Sequence, residues 1–250
     1  FLVTGVAGFI GSNLANFLLD KGHEIHGIDN LSYGLIEQIP EKVIFHQDDI
    51  CSTSIYPYFK DINTVVHLAA KNCINDCQLD PFETAKVNVL GTVNIFEACK
   101  KSKVNKIIYA ESSAVYEGTT SFPTKETDEK PKSFYAISKM ASKLFADAYC
   151  RFSQLNIIAL RYFNVYGPKQ DYRRSIPPLM CAIIIKLLKG EQPVIYGNGT
   201  KRRDFIYIDD VNRFHDLLIN NHSVANETYN LGSGKNYSVI EVYETICKVL

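Results

Sequence analysis

The stretch Val3-Thr4-Gly5-Val6-Ala7-Gly8-Phe9-Ile10-Gly11, near the start of the chain, decides the fold class. The apolar residues that open it predict a short strand, and residues 12–22 predict a helix that ends at a glycine. Between strand and helix, glycines recur at a spacing of three. Glycine permits a tight turn and a close approach of backbone to ligand, and the start of a helix leaves N–H groups unpaired. The stretch therefore predicts a strand, turn and helix that hold a diphosphate.

An acidic residue follows at the distance that such a unit needs. Residues 25–28 predict a second strand, which ends at Asp29, eighteen residues beyond Gly11. A carboxylate there can accept hydrogen bonds from both ribose hydroxyls of an adenosine and would repel a 2′-phosphate. The pattern therefore predicts NAD, rather than NADP, as the cofactor. A glycine-rich surface turn followed by an ordinary loop aspartate is the weaker interpretation, because strand, helix and acid all occur in the required order.

A tyrosine and a lysine, Tyr135 and Lys139, stand four residues apart in a predicted helix. This spacing places both side chains on one helix face, where an ammonium can favour the ionised form of a phenol. A phenol with a lowered pKa can move a hydroxyl proton near neutral pH. Such a pair is common on solvated helices, but beside a dinucleotide motif it predicts a base for hydride-transfer chemistry.

Apolar runs and helical stretches alternate along the first two thirds of the chain. Further strands are predicted at 43–45, 64–68, 106–109 and 157–160, and the longest helices at 82–101 and 135–153. This alternation predicts an α/β fold, a Rossmann-type doubly wound parallel sheet with ligands at the carboxyl ends of its strands. Polar or small residues directly follow the runs, as this fold requires: Asp29, Asp49, Ala69 to Lys71, Ser112 and Asn164.

The pattern changes after Gly167-Pro168 to shorter elements separated by prolines and glycines. We therefore predict an NAD-binding domain at 1–167 and a smaller substrate-binding domain at 168–250. The chain begins within a strand pattern and ends within an amphipathic helix pattern, so we expect the second domain to be incomplete at its C-terminus. Helices 82–101 and 135–153 carry apolar residues on more than one face, which fits either full burial in one subunit or a helix-pair dimer interface.

Composition excludes several classes of protein. The charges balance, with 27 basic and 27 acidic residues, so no nucleic-acid partner is expected. No apolar stretch is long enough to span a membrane, and there is no signal-peptide pattern. Seven cysteines are an odd number without a dense framework, which predicts reduced thiols and a cytoplasmic location. Cys73 and Cys77 lack a second ligand pair, so no metal site is predicted.

Several motifs occur in one order along essentially the whole chain. They are Val3 to Gly11, Asp29-Asn30-Leu31-Ser32, Asp49-Ile50, His67-Leu68-Ala69-Ala70, Val87-Asn88-Val89-Leu90-Gly91-Thr92, Ser112-Ser113-Ala114-Val115-Tyr116, Tyr135 to Lys139, Arg161 to Pro168, Arg203-Asp204-Phe205 and Asp209-Asp210-Val211. In these motifs the chain resembles the extended short-chain dehydrogenase/reductase family. Within that family it is most similar to the nucleotide-sugar 4-epimerases that act on UDP-glucose or UDP-N-acetylglucosamine.

The resemblance implies a set of cofactor contacts. In the family, Asp49 and Ile50 would meet the adenine, Tyr162 would touch the nicotinamide half, and Asn88 would stabilise the active-site end of its helix. The residues implied to bind NAD are Gly5, Gly8, Phe9, Ile10, Gly11, Asp29, Asn30, Ser32, Asp49, Ile50, Leu68, Ala69, Ala70, Asn88, Tyr135, Lys139 and Tyr162.

The resemblance also implies the reaction. Tyr135, as a phenolate favoured by Lys139 and by the positive nicotinamide, would remove the proton of the sugar 4-hydroxyl while a hydride leaves C4 for NAD. The 4-keto sugar would then turn over and take the hydride back on its other face. Ser112, or its neighbour Ser113, would hydrogen-bond the reacting oxygen. The UDP-sugar would be held by Ser112, Ser113, Tyr135, Asn164 and Arg203, in an enzyme expected to be a homodimer.

Two other activities of the family and one different class are the alternatives. In the 4,6-dehydratases an acidic pair follows the catalytic threonine, and decarboxylases carry a glutamate there, whereas this chain has Ser113 and Ala114. The missing acids argue for the epimerase. A regulatory protein that binds NAD without turnover is the third alternative, against which the complete trio of Ser112, Tyr135 and Lys139 speaks.

The chain departs from the family pattern around the substrate. Glu111 stands where the family usually has a small residue, and Glu117 stands where a glycine usually follows Tyr116. Phe134 replaces a proline that is common before Tyr135. Lys71 and Asn72 replace the usual polar pair after the alanines.

Overall fold

The predicted alternation of strands and helices builds a parallel sheet. The computed structural model describes residues 1–174 and 176–250. In chain order the strands are β1 (Leu2–Thr4), β2 (His26–Asp29), β3 (Ile44–Gln47), β4 (Thr64–His67), β5 (Lys106–Ser112), β6 (Ile157–Tyr162), β7 (Asn164–Tyr166), β8 (Arg202–Tyr207), β9 (Thr228–Leu231) and β10 (Asn236–Ser238). Seven of them form one sheet in the order β3-β2-β1-β4-β5-β6-β9, with every neighbouring pair parallel. The predicted fold class is confirmed.

Helices cover both faces of this sheet. They are α1 (Phe9–Asp20), α2 (Ile74–Leu79), α3 (Pro81–Ala85), α4 (Thr92–Ser102), α5 (Phe134–Ser153), α6 (Leu179–Leu188), α7 (Ile208–Asn220) and α8 (Val239–Val249). One apolar core joins the sheet to α4 and α5, and a second joins its other face to α1 and α7. Strand order reverses between β1 and β4, so a crevice for ligands opens at the carboxyl ends of these strands.

The helix predicted over 82–101 is divided into three parts. Between α3 and α4, residues Lys86–Gly91 form a π-helix. Single π-turns inserted in α-helices occur frequently at functional sites, because they redirect one carbonyl and its side chain. The carbonyl oxygen of Asn88 here accepts hydrogen bonds from two side chains, Thr92 at 2.6 Å and Ser142 at 2.8 Å.

A smaller sheet of β10, β8 and β7 forms near the carboxyl edge of the large one. It packs with α6 and α8 around a small apolar cluster of Ile183, Phe205 and Val242. Strand β9, however, returns to the large sheet beside β6, and α7 packs against that sheet. A single division at residue 167 therefore does not separate the two sheets, since burial of the edge of β6 requires a strand from later in the chain. The two-domain division stays a prediction.

Helix α5 and the π-helix leave large apolar side chains in solvent. Leu90 is 63% exposed and Leu144 59%, and Ile137 and Phe145 are also exposed. Full burial within one subunit, one of the two interpretations of these helices, is therefore not what the structure shows. Among the described residues no helix is long and apolar enough to cross a membrane.

Candidate active site

The glycine loop after β1 has the shape that a diphosphate needs. Gly5 has a φ of +72°, and a Cβ on Gly11 would lie 2.2 Å from the Gly5 carbonyl oxygen, so neither position accepts a side chain without strain. The first hydrogen bond of α1 runs from the Ser12 N–H to the Gly8 carbonyl oxygen. The N–H groups of Phe9, Ile10 and Gly11 precede it and make no hydrogen bond among the described residues, so they are free to bind an anion.

Asp29 lies beside this loop at the end of β2. Its carboxylate accepts hydrogen bonds from the Ala7 N–H at 3.0 Å and the Leu31 N–H at 2.8 Å. Burial raises the pKa of Asp29, and these two hydrogen bonds lower it. Each carboxylate oxygen keeps a second lone pair for a ligand hydroxyl. The position fits the predicted contact with a ribose.

A second polar group extends from Asp29 toward β3. The Asn30 side chain donates to the Asp49 carboxylate at 3.0 Å and accepts from the Ser32 hydroxyl at 2.7 Å. Ile50 is buried, and a Cβ on Gly91 would lie 2.8 Å from its Cδ1 atom. The residues predicted to surround the adenosine therefore do lie together at the carboxyl ends of β2 and β3.

A buried histidine, to which sequence reasoning gave no role, supports the end of β4. His67 Nδ1 lies 2.7 Å from the Thr4 hydroxyl oxygen, and its Nε2 lies 3.0 Å from the hydroxyl oxygen of Thr92. Burial lowers the pKa of His67 to about 3, so the ring is neutral. The Thr4 hydroxyl oxygen also accepts the N–H groups of Leu68 and Ala69 at 3.2 Å. Two features of the sequence could have indicated this role: His67 ends an apolar strand, and Thr4 directly precedes Gly5.

Asn88 joins the π-helix to α5 and to the segment after β4. Its side chain accepts from the Lys71 N–H at 2.8 Å and donates to the Lys71 carbonyl oxygen at 2.9 Å and to the Ser138 hydroxyl at 3.0 Å. The Ser138 hydroxyl in turn donates to the Tyr135 carbonyl oxygen at 2.7 Å. The buried amide of Asn88 is thus satisfied, and its role in stabilising this end of the helix stays a prediction.

The predicted catalytic trio converges where β5 meets α5. Ser112 ends β5, and its hydroxyl oxygen accepts the Ala114 N–H at 3.2 Å. Tyr135 lies in the first turn of α5, and the Lys139 ammonium donates to the Ala110 carbonyl oxygen at 2.9 Å. This hydrogen bond holds the second turn of α5 against β5, two residues before Ser112.

Burial shifts the pKa values of this pair in the chain without a bound cofactor. Burial raises the pKa of Tyr135 to about 12, with Ser112 and Arg174 acting in the opposite direction. Burial lowers the pKa of Lys139 to about 8, while the nearby Glu111 carboxylate raises it. The polypeptide by itself therefore does not ionise Tyr135 at neutral pH. The four-residue spacing suggested the contrary, but it carried no information on how deeply both groups are buried.

Glu111, one of the departures from the family pattern, is fully buried in an ion pair with Arg161 at 2.7 Å. Arg161 also donates to the Tyr116 hydroxyl and the Glu126 carbonyl oxygen, each at 2.6 Å, and to the Glu129 carboxylate at 2.7 Å. These contacts attach the loop between β5 and α5 to the end of the sheet. Sequence reasoning missed this network, because its members are far apart in the chain.

Tyr162, predicted to contact NAD, and Asn164 and Arg203, predicted to bind the UDP-sugar, are placed differently from one another. The Tyr162 hydroxyl is buried and lies 2.8 Å from His215 Nε2, so only its ring and main chain are left for a nicotinamide. The Asn164 side-chain amide donates to the Asp204 carbonyl oxygen at 2.7 Å. Arg203 is exposed on β8, and its guanidinium makes no hydrogen bond or ion pair within residues 1–174 and 176–250.

A comparison with known proteins identifies the family of this chain. The model of the NAD dependent epimerase/dehydratase family matches residues 1–232. The chain belongs to this family. The predictions of family, of an NAD-dependent enzyme and of NAD as its cofactor are thereby confirmed, and the glycine cradle, the free N–H groups and Asp29 fit that cofactor.

Individual relatives cover almost the whole chain. A putative UDP-glucose 4-epimerase of Methanocaldococcus jannaschii is 35% identical over 98% of this chain and 80% of its own length. The structure of the UDP-glucose 4-epimerase of Thermotoga maritima with UDP-glucose matches with a TM-score of 0.95 and 31% identity, over 99% of this chain and 81% of the other. A UDP-N-acetylglucosamine 4-epimerase of Methanobrevibacter ruminantium matches with a TM-score of 0.95 and 33% identity, over the same shares. A dTDP-glucose 4,6-dehydratase of Streptomyces venezuelae is also similar, with a TM-score of 0.90 and 27% identity, over 99% and 80%.

Proposed function

We propose that the chain catalyses NAD-dependent C4 epimerisation of a UDP-hexose, either UDP-glucose and UDP-galactose or their N-acetyl forms, through a 4-keto sugar. The observation that carries the proposal is the convergence of Ser112, Tyr135 and Lys139 beside the NAD cradle, with no carboxylate at positions 113 and 114. Three relatives of this architecture are named as UDP-sugar 4-epimerases, which supports the same reaction.

NAD supplies a reversible acceptor for the hydride of the sugar C4 atom. Tyr135 is placed to take the proton of the 4-hydroxyl once it has lost its own. Because burial raises its pKa to about 12, a positive charge nearby, such as that of a bound nicotinamide, would be needed to favour the phenolate. Lys139, held on the Ala110 carbonyl oxygen, supplies one positive charge from within the chain. Ser112 is placed to hydrogen-bond the reacting oxygen, and Ser113 is its alternative.

Substrate binding is assigned to residues at the carboxyl edge. The free guanidinium of Arg203 can form two parallel hydrogen bonds to a diphosphate. The neighbouring Arg202 is held instead by Glu241 at 2.9 Å. Asn164 keeps its side-chain oxygen available for the sugar nucleotide while its amide is anchored.

Dehydration needs an acid to expel the 6-hydroxyl of the sugar and a base for the C5 proton, and the decarboxylases carry a glutamate at the same place in the chain. Ser113 and Ala114 lie in a 3₁₀ turn directly after Ser112 and provide no carboxylate. The nearest carboxylate on β5 is Glu111, which is buried and engaged by Arg161. This arrangement favours epimerisation, although a dehydratase shares the fold.

A product assay tests the proposal. The four substrates UDP-glucose, UDP-galactose, UDP-N-acetylglucosamine and UDP-N-acetylgalactosamine are incubated separately in D₂O with the purified chain and no added reductant. We expect only the C4 epimer, without deuterium at C5 or C6. A 4-keto-6-deoxy sugar, or carbon dioxide from a UDP-uronic acid supplied as a fifth substrate, would assign one of the alternatives. No turnover with NAD bound would favour the regulatory protein.

We also propose that two copies associate through α5 and the adjoining π-helix. Ile137, Leu144 and Phe145 recur at helical spacing on one exposed face of α5. Leu90 is also exposed, in the π-helix that contacts α5 through Asn88 and Ser142. Light scattering after size-exclusion chromatography should give twice the mass of the chain, and Leu144→Asp should give the monomer. A monomeric unmutated chain would contradict this. The cytoplasmic location stays a prediction.

A further inference from the structure

Glu117, which stands where the family usually has glycine, bridges the two segments that carry the catalytic side chains. Its carboxylate accepts the Ser133 N–H at 2.8 Å, the Ser133 hydroxyl at 2.9 Å and the Lys132 N–H at 3.3 Å. Ser133 is the N-cap of α5, and its hydroxyl oxygen accepts the Ala136 N–H at 3.1 Å. Tyr135 lies inside the turn that these hydrogen bonds close.

The other side of Glu117 is attached to Ser112. The Glu117 N–H donates to the Ala114 carbonyl oxygen at 3.1 Å, and the Ala114 N–H donates to the Ser112 hydroxyl oxygen at 3.2 Å. A continuous series of hydrogen bonds therefore runs from the Ser112 side chain, through Glu117 and Ser133, to the first turn of α5. Other hydrogen bonds hold the base of this loop, from the Gly118 N–H to the Lys130 carbonyl oxygen and from the Lys130 N–H to the Val115 carbonyl oxygen.

The charge of Glu117 suits this place. A carboxylate near the N-terminus of a helix is stabilised by the unpaired N–H groups and by the helix dipole. Glycine at position 117 would leave the Ser133 N–H and hydroxyl to water, and the N-cap serine would be oriented by the backbone alone. The side chain of Glu117 is exposed, so it contributes little to the apolar core.

We propose that Glu117 is a positioning residue, which fixes the first turn of α5, and so the phenol of Tyr135, relative to Ser112. Only the expected effect of Glu117 on kcat rests on the proposed function. The structural consequence, a fixed helix start, can be measured without any substrate.

The test compares Glu117→Ala, Glu117→Gln and a control, Asp128→Ala. Asp128 lies in the same loop, and within residues 1–174 and 176–250 its carboxylate accepts one hydrogen bond, from the Lys125 N–H at 2.9 Å. We expect its removal to loosen the loop without releasing α5. A misplaced catalytic group costs up to about a hundredfold in rate. We expect Glu117→Ala to lower kcat ten- to a hundredfold with KM changed less than about threefold. Glu117→Gln, which keeps one acceptor oxygen, should recover part of the rate, and Asp128→Ala should stay within about twofold.

Amide hydrogen exchange of peptides that cover residues 133–140, measured with NAD bound, provides the second readout. We expect faster exchange there in Glu117→Ala than in Asp128→Ala, with unchanged exchange in β1 and α1. Equal exchange and equal kcat in both variants would overturn the inference. If the unmutated chain has no epimerase activity, the proposed function fails, and the exchange data still decide whether Glu117 fixes the start of α5.

Discussion

The carboxylate of Asp29 accepts a hydrogen bond from the backbone N–H of Ala7 at 3.0 Å. The acid predicted to hold the ribose is thereby attached to the loop predicted to hold the diphosphate. A change at Asp29 should consequently affect both recognition of the 2′-position and the shape of the loop.

The first prediction concerns the choice of cofactor. NAD should bind at least about tenfold more tightly than NADP, because hydrogen bonds to a charged carboxylate contribute roughly 1.5–3 kcal/mol and a 2′-phosphate would be repelled. Asp29→Ala should reduce the ratio of the NAD affinity to the NADP affinity. Glu41→Ala, which removes an exposed carboxylate, should leave this ratio unchanged. Calorimetric titration measures both affinities. Equal affinities in the unmutated chain would contradict the assignment of Asp29.

The glycine loop predicts a graded steric effect. Gly11→Ala would place a Cβ 2.2 Å from the Gly5 carbonyl oxygen, whereas Gly8→Ala would place one at 3.2 Å from the same atom. Overpacking of this kind costs about 1–3 kcal/mol. We expect Gly11→Ala to weaken NAD binding about tenfold or more, and Gly8→Ala to weaken it less. Equal effects on the dissociation constant would mean that contact with Gly5 is not the cause.

Tyr135→Phe keeps the ring and removes the ionisable hydroxyl. Proton transfer by a positioned side chain contributes about 10²–10⁴-fold to a rate. We expect kcat to fall by that amount while NAD still binds. Tyr149→Phe is the matched control, since Tyr149 lies on the same helix and donates to Glu97 at 2.7 Å, away from the trio. Near-normal epimerisation by Tyr135→Phe would mean that another base exists.

His215 predicts a pH dependence of stability. Burial lowers its pKa to about 4, with the hydrogen bond to Val211 acting in the opposite direction, whereas an unfolded histidine titrates near pH 6.5. Below pH 6.5, His215 is protonated in the unfolded chain but stays neutral in the folded chain. The free energy of unfolding therefore falls as the pH falls toward 4. Between pH 7 and 5 the loss is roughly 2 kcal/mol.

Urea unfolding of the unmutated chain and of His215→Gln at both pH values measures this contribution. Glutamine removes the titration and keeps an acceptor for the Tyr162 hydroxyl. Between pH 7 and 5, the free energy of unfolding of the variant should therefore fall by about 2 kcal/mol less than that of the unmutated chain. Equal losses in the free energy of unfolding for both proteins would show that the pKa of His215 does not differ between the folded and unfolded chain.

The buried pair of Glu111 and Arg161 predicts an asymmetric response. Arg161→Met leaves the Glu111 carboxylate buried without its partner, which costs about 3–5 kcal/mol. The double variant Glu111→Leu with Arg161→Met removes both charges and should be more stable than Arg161→Met alone. Circular dichroism during urea unfolding gives the free energies. A double variant less stable than the single one would show that Glu111 needs no countercharge.

Much of the fold could be predicted from local sequence. The predicted strands at 43–45, 64–68, 106–109 and 157–160 each overlap an observed strand, β3 to β6. The glycine loop lies between β1 and α1, and Asp29 ends β2, as predicted. Periodicity, glycine sterics and the succession of strand and helix act over a few residues, so they are readable without tertiary contacts.

The environment of the site could not be predicted in the same way. Asn88 sits in a π-helix, Lys139 donates to Ala110, and the pKa of Tyr135 rises instead of falling. These features depend on which groups meet when α5 packs against β5, and on how much water that packing excludes.

The sequence by itself indicated the parallel sheet and the glycine loop, because hydrophobic periodicity and glycine sterics act over a few residues. It also predicted the roles of Ser112, Tyr135 and Lys139, which stay predictions. The tertiary structure alone decided the return of β9 beside β6, the burial of Tyr135 and Lys139, and the partners of Glu111 and Glu117. Glu111 and Arg161 are fifty residues apart, and only chain folding brings their charges into a dry interior where each needs the other.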